Sequence, residues 1–238
     1  MDQPLAPPSF SCRDPAQAEF WSERYAKDFL PWDQHEVPAP LRRALTQDPA
    51  TSGIPGSPAR VLIPGCGSGY ELECLAGAGY DALAIDISPP AIARARGLVG
   101  TYAERVQLAD CFALATDPDH RGGYDWIYER AFCCALPPRL WATWGEAMAA
   151  LVAPGGVLAG VFHVDPDPEL AIQAKRRGPP FAIRAGELAL LLEPNFVCID
   201  DCSVPHEESI PVFRGKERWM VWRRRTAPNG GQTRPQSA

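Results

Sequence analysis

Apolar positions along the chain fall into two regimes. Over residues 15–30, Phe20, Trp21, Tyr25 and Phe29 recur about four apart and predict an amphipathic helix. Asp14 and Pro15 suit its start, and Pro31 ends it. A second helix begins at 41–45, and the stretch 47–59 reads as a loop leading into the core. From residue 60 the pattern changes to short apolar runs separated by longer helical segments. Strands are predicted over 59–65, 80–88, 105–110, 124–130 and 157–164, with helices over 68–79, 89–99 and 140–156. A further helix at 187–194 precedes two closing strands at 195–204 and 218–225. This alternation predicts an α/β protein: a Rossmann-like, doubly wound, mostly parallel seven-stranded sheet with helices on both faces. The segment 15–58 becomes an N-terminal helical cover on a single domain of 15–225, with a flexible arm at 1–14 and a disordered tail at 226–238.

Composition adds limits. With 238 residues, 46% hydrophobic and 22% charged, the chain can bury one sizeable core. A net charge of −6 gives no electrostatic reason to expect nucleic acid or an anionic membrane as a partner. No run reaches the roughly 20 apolar residues of a membrane span, and no secretory leader is evident, so the cytoplasm is the expected compartment. The eight cysteines include no C-x-x-C pair and the four histidines are scattered, so reduced thiols and no structural metal are expected. Oligomeric state is not readable.

The densest chemical signal is Gly65-Cys66-Gly67-Ser68-Gly69-Tyr70 after the first core strand, with Asp86 closing the second. Glycines at alternate positions let the backbone turn sharply and approach a ligand closely. An acidic residue about 20 positions on can accept hydrogen bonds from ribose hydroxyls. No Lys follows the loop, as a phosphate-cradling P-loop requires, and Tyr70 stands where a dinucleotide loop has its third glycine. A G-x-G-x-G loop suits a cofactor without pyrophosphate, such as S-adenosylmethionine. At the third strand end, Asp110 and Cys111 either meet the adenine edge or Asp110 merely caps the segment after it.

On these residues the chain resembles the thiopurine methyltransferase superfamily, which includes the thiocyanate, thiol and halide methyltransferases. The resemblance rests on Phe20-Trp21-x3-Tyr25-x5-Pro31-Trp32-Asp33, Ile63-Pro64-Gly65-Cys66-Gly67, Ala84-Ile85-Asp86-Ile87-Ser88, Gly178-Pro179-Pro180-Phe181 and Gly215-Lys216-Glu217. It implies S-adenosylmethionine as cofactor, with S-adenosylhomocysteine as product. Trp21, Tyr25 and Trp32 would then enclose the cofactor, Gly65 and Gly67 would meet its methionine part, Asp86 and Ser88 its ribose, and Asp110 and Cys111 its adenine. Glu129-Arg130 matches the Asp/Glu-Arg pair of thiopurine-type members, while Tyr25 departs from the Trp common in the thiocyanate and halide branch. Periodicity alone would make Trp21 and Trp32 packing residues. The acceptor would be a small anion or thiol: thiol, sulfide, thiocyanate, thiopurine or halide. Arg130 is the candidate cation for it, with a cofactor carboxylate or Glu129 as its other possible partners. Phe132, Phe162 and Phe181 are candidate pocket walls or core residues, and Cys133 and Cys134 lie beside them. The competing readings are a non-catalytic module that binds the same cofactor, which the aromatic cover disfavours, and an NAD-dependent dehydrogenase, which Tyr70 disfavours.

Overall fold

A computed structural model describes residues 8–165, 178–213 and 215–226. The early part of the predicted arm (1–7) and the tail from 227 lie outside these residues. Strands β1 (Arg60–Pro64), β2 (Asp81–Asp86), β3 (Val106–Leu108), β4 (Tyr124–Arg130), β5 (Val152–Asp165), β6 (Ile183–Arg184), β7 (Phe196–Ser203) and β8 (Glu217–Arg224) form one sheet in the order β3-β2-β1-β4-β5-β8-β7, with two-residue β6 added at the end of β5. β3, β2, β1, β4 and β5 are mutually parallel, and β8 runs antiparallel to β5 and β7. The expected doubly wound sheet is therefore present.

Its strands are apolar on both faces because both are covered. Leu62, Ile85, Ile127 and Leu158 pack on one side with Trp144 and Met148 of α7 (Trp141–Leu151) and Leu188 and Leu192 of α8 (Ala185–Leu192). Val61, Ile63, Ala84 and Trp126 pack on the other with Leu72 and Leu75 of α4 (Tyr70–Gly77), Ile92 and Ala95 of α5 (Pro89–Leu98), and Leu41 of α2 (Ala39–Thr46). Each such side chain, taken fully out of water, contributes about 1.5–3 kcal/mol. No helix among the described residues is long and apolar enough to cross a membrane.

Three expected boundaries move, each for a local reason. The first helix, α1, covers only Ala18–Ala26: residues 14–17 form a turn in which Asp14 accepts from the Ala16 amide, and Asp28 at φ 48 breaks the far end. The helix expected over 140–156 stops at Leu151, because Pro154 has no N–H to continue it and Val152 already pairs with Tyr124; Pro154-Gly155-Gly156 instead bulges the start of β5. Two short helices escaped the periodicity, α3 (Pro49–Ser52) and α6 (Cys111–Thr116). Residues 8–14, part of the expected arm, lie against α1: Phe10 packs tilted against Phe29 at 5.4 Å between centroids and the Ser11 amide donates to Glu23 at 2.9 Å.

The contact between β4 and β5 is tightest at Gly160, where a Cβ would lie 2.0 Å from the Glu129 carbonyl oxygen. Gly160→Ala should force the strands apart and cost at least about 2 kcal/mol in urea unfolding. Gly186→Ala in α8, where a Cβ meets nothing within 4 Å, should be neutral or stabilising by about 0.5 kcal/mol. Equal effects at the two positions would contradict the packing described.

Candidate active site

Parallel strands that diverge to either side of β1 leave a crevice at their carboxyl ends. A cavity of about 660 Å³ occupies it, within the range of small-molecule sites. It runs from Ala109–Phe112 after β3, past Asp86 after β2 and Gly65–Ser68 after β1, to Arg130–Phe132 after β4. Trp21 and Tyr25 of α1 and Trp32 close it from outside, and Val212 and Phe213 border it from the segment before β8.

The turn after β1 is left-handed at Gly65 (φ +61) and Gly67 (φ +55), a region costly for side-chain-bearing residues. Space excludes a side chain as well. A Cβ on Gly67 would come within 2.6 Å of the Tyr25 hydroxyl, and one on Gly65 within 2.9 Å of the Phe132 ring. Trp32 packs edge-on against Trp21 (5.5 Å between centroids) and Tyr25 (6.2 Å), and the Trp21 indole donates to the Pro15 carbonyl at 2.8 Å.

Asp86 is buried and accepts from the Ser88 amide at 2.9 Å and the Gly67 amide at 3.1 Å. Burial raises its pKa, and the amides of Ser88, Gly67 and Ile87 oppose the rise. Acceptor capacity remains beyond these amides, and the carboxylate borders the cavity. The Tyr25 phenol is pushed up by burial and then by the Asp86 charge. Asp110 caps α6, accepting from the Phe112 amide at 2.9 Å, and also borders the cavity. Cys66, Cys111 and Cys134 also border the cavity, and burial raises each thiol.

Three expected site residues sit elsewhere. Ser88 is fully buried as the N-cap of α5 and does not border the cavity; its hydroxyl accepts from the Ala91 amide at 3.3 Å and meets Ser22. Phe162 and Phe181 pack in the core on the α7 side, because strand alternation turns Phe162 away from the crevice and the Gly178–Pro180 turn, not the Phe181 ring, reaches the cavity. Cys133 is likewise core. Trp21, Tyr25, Trp32, Gly65, Gly67, Asp86, Asp110, Cys111, Arg130 and Phe132 are brought together around one space.

Sequence reasoning missed the polar ties. Arg130 pairs with Glu217, not Glu129, and its other terminal nitrogen donates to Gln34 at 2.8 Å. Asp33 accepts from the Ser68 hydroxyl, which accepts from Arg94 Nε at 3.1 Å, while Arg94 reaches Asp28 at 2.9 Å. These links fasten the cover to the glycine turn. Glu71, in the first turn of α4, is buried at the cavity; burial raises its pKa and the Arg130 charge opposes this. No local spacing in the sequence marks pairs between segments so far apart.

The sequence pattern of the family "Thiopurine S-methyltransferase (TPMT)" matches residues 16–225. Thiocyanate methyltransferase 1 of Arabidopsis thaliana is 27% identical over 207 residues, covering 86% of this chain and 84% of the plant protein. A thiopurine S-methyltransferase of Pseudomonas putida is 32% identical over 185 residues, 71% of this chain and 79% of that one. Among solved structures, the 1,6-didemethyltoxoflavin-N1-methyltransferase of Burkholderia thailandensis, with bound S-adenosylhomocysteine, superposes with a TM-score of 0.62 at 20% identity, over 93% of this chain and 95% of the other.

Behind the Phe132 wall, Glu129 is buried; one oxygen accepts from the amides of Phe132 (2.9 Å) and Cys133 (3.0 Å), and the other has no partner. Burial pushes its pKa from 4.5 to about 7. The folded chain then holds a proton that the unfolded chain has lost, so this group's contribution is full below 4.5 and is lost as pH rises through about 7. Glu129→Gln keeps the acceptor oxygen without the charge. Its stability relative to the parent should rise by about 2 kcal/mol between about pH 5 and about pH 8 in urea titrations. A pH-independent difference would contradict the assignment.

Proposed function

This chain belongs to the thiopurine S-methyltransferase family and is an S-adenosylmethionine-dependent methyltransferase, and from that premise we propose that its cavity holds the donor over β3, β2 and β1 and presents the acceptor beside β4. The observation that carries this reading is Asp86, a buried carboxylate with acceptor capacity to spare at the strand end next to a turn too tight for any side chain. It would accept the ribose hydroxyls, with Asp110 and Phe112 beside the adenine. The methionine part would then lie over Gly65 and Gly67. Glu71 at the start of α4 suits an ammonium group and would repel a pyrophosphate laid over the glycine turn, which disfavours a dinucleotide.

When bound, S-adenosylmethionine supplies a methyl group already made electrophilic by its sulfonium. The residues have only to bind, align and exclude water. Trp21, Tyr25 and Trp32 shut the crevice from outside, and Phe132 closes the side over the glycine turn. No histidine borders the cavity among the described residues, and burial holds the bordering thiols and the Tyr25 phenol protonated. None of these groups is set up as a general base. On this reading the acceptor sulfur arrives as an anion, having left its proton in water rather than on a bordering carboxylate, and a small sulfur nucleophile meets that requirement near neutral pH.

Asp86→Ala should weaken S-adenosylhomocysteine binding by about 1.5–3 kcal/mol in calorimetry, through loss of charge-assisted hydrogen bonds. With labelled donor and a thiol series, the pH–rate profile should shift with each thiol's own pKa. Unchanged affinity in a folded variant would remove Asp86 from the donor site. A profile fixed by one protein group across all acceptors would overturn the base-free reading.

A further inference from the structure

The acceptor end of the cavity carries an arginine whose charge is already answered. Arg130 ends β4 beside the Phe213 ring, with its guanidinium carbon 6.0 Å from the ring centroid. Its partner Glu217 opens β8 and is 1% exposed. One Glu217 oxygen takes the guanidinium; the other accepts from the Ser209 hydroxyl and from the Ile210 amide at 2.8 Å. With both oxygens engaged and water excluded, Glu217 cannot swing away to free the cation. Glu71 adds a second carboxyl within electrostatic reach of Arg130. The surrounding wall is apolar: Trp32, Ala131, Cys134, Val212 and Phe213 pack together there, with Ile210 behind them.

These facts discriminate between acceptors that share a soft nucleophilic atom. A free inorganic anion such as thiocyanate or iodide must be stripped of water, and a site recovers that cost only with an unanswered positive charge. Here the guanidinium that ends β4 is neutralised at contact distance, so an anion beside Arg130 would sit beside a carboxylate as well. An organic thiolate faces the same field at sulfur, but its apolar body gains burial against Trp32, Val212 and Phe213.

We propose that Glu217 sets acceptor specificity: by holding Arg130 in a closed ion pair, it turns the site away from free inorganic anions and leaves it to organic thiols with an apolar or aromatic body. The inference rests on the sulfur-methyltransferase reading above. In the step itself the S–CH3 bond to the acceptor forms as the donor's sulfonium C–S bond breaks, the thiol proton having gone to water beforehand. Glu217 is a specificity residue acting through Arg130, and no bond to it is made or broken.

The test compares benzenethiol with thiocyanate in the intact protein and in Glu217→Gln. The parent should favour benzenethiol in kcat/KM by about 100-fold or more, and should show no thiocyanate binding heat in its S-adenosylhomocysteine complex at low millimolar concentration. In Glu217→Gln the thiocyanate-to-benzenethiol ratio should rise about 10-fold or more, carried by KM for the anion, and thiocyanate should now bind the same complex and raise its melting temperature. A merely structural glutamate would lower both acceptors together. The inference falls if the parent methylates thiocyanate as well as benzenethiol, or if the folded variant keeps the parent's ratio. Should the variant not fold, the parent's own acceptor ratio and binding heat still decide. Donor binding with no transfer to any sulfur acceptor would instead overturn the underlying reading, and the inference with it.

Discussion

The turn leaving β1 is the constraint on which the site depends. It must reverse direction beside Asp86 while the Tyr25 hydroxyl and the Phe132 ring press on it from two sides. Left-handed backbone at Gly65 and Gly67 satisfies both demands, because neither position has room for a Cβ. The Gly67 amide then points at the Asp86 carboxylate and fixes it at the mouth of the crevice. One loop thereby sets the approach distance for a ligand, the aim of a buried acid and the seat of the cover. A larger residue at Gly67 would disturb all three together.

Around that turn, segments far apart in sequence are joined by polar contacts that recur at every seam. Asp33, Ser68 and Arg94 tie the cover to the glycine turn and to α5. Gln34, Arg130 and Glu217 tie it to β4 and to the start of β8. The buried members, Asp33 and Glu217, need partners, since an isolated buried charge is costly. Glu129 is the exception: its unpartnered oxygen and raised pKa make it the group by which the wall behind Phe132 responds to pH.

Much of the scaffold was legible in the sequence because parallel strands buried on both faces write themselves as uninterrupted apolar runs. β1, β2 and β4 lie inside the stretches expected for them, and β4 matches residue for residue. Asp86 was legible because a strand end some 20 residues after a glycine turn is a local, spaced signal. What stayed hidden depends on distance or direction. The Arg130–Glu217 pair spans 87 positions, and no periodicity records it. For Phe162 both pocket wall and core were open, because its position near a strand end is visible while the face it takes is not. Ser88 was expected at the ribose, and the helix starting at Pro89 took it as its cap instead. The long helix expected through Pro154 failed where β5 pairing began earlier than its apolar run suggested.

The central claim is that residues 18–34 form a cover whose aromatic face encloses the donor against the glycine turn. Hydrogen exchange across this segment, with and without S-adenosylhomocysteine, tests it most directly. The account predicts that amides of α1 and of the Trp32–Gln34 turn slow by about 10-fold or more on binding, together with those of Cys66–Gly69, while the distant β7 edge is unaffected. Saturated ligand with unchanged exchange in the cover would contradict it and leave Trp21, Tyr25 and Trp32 as static core.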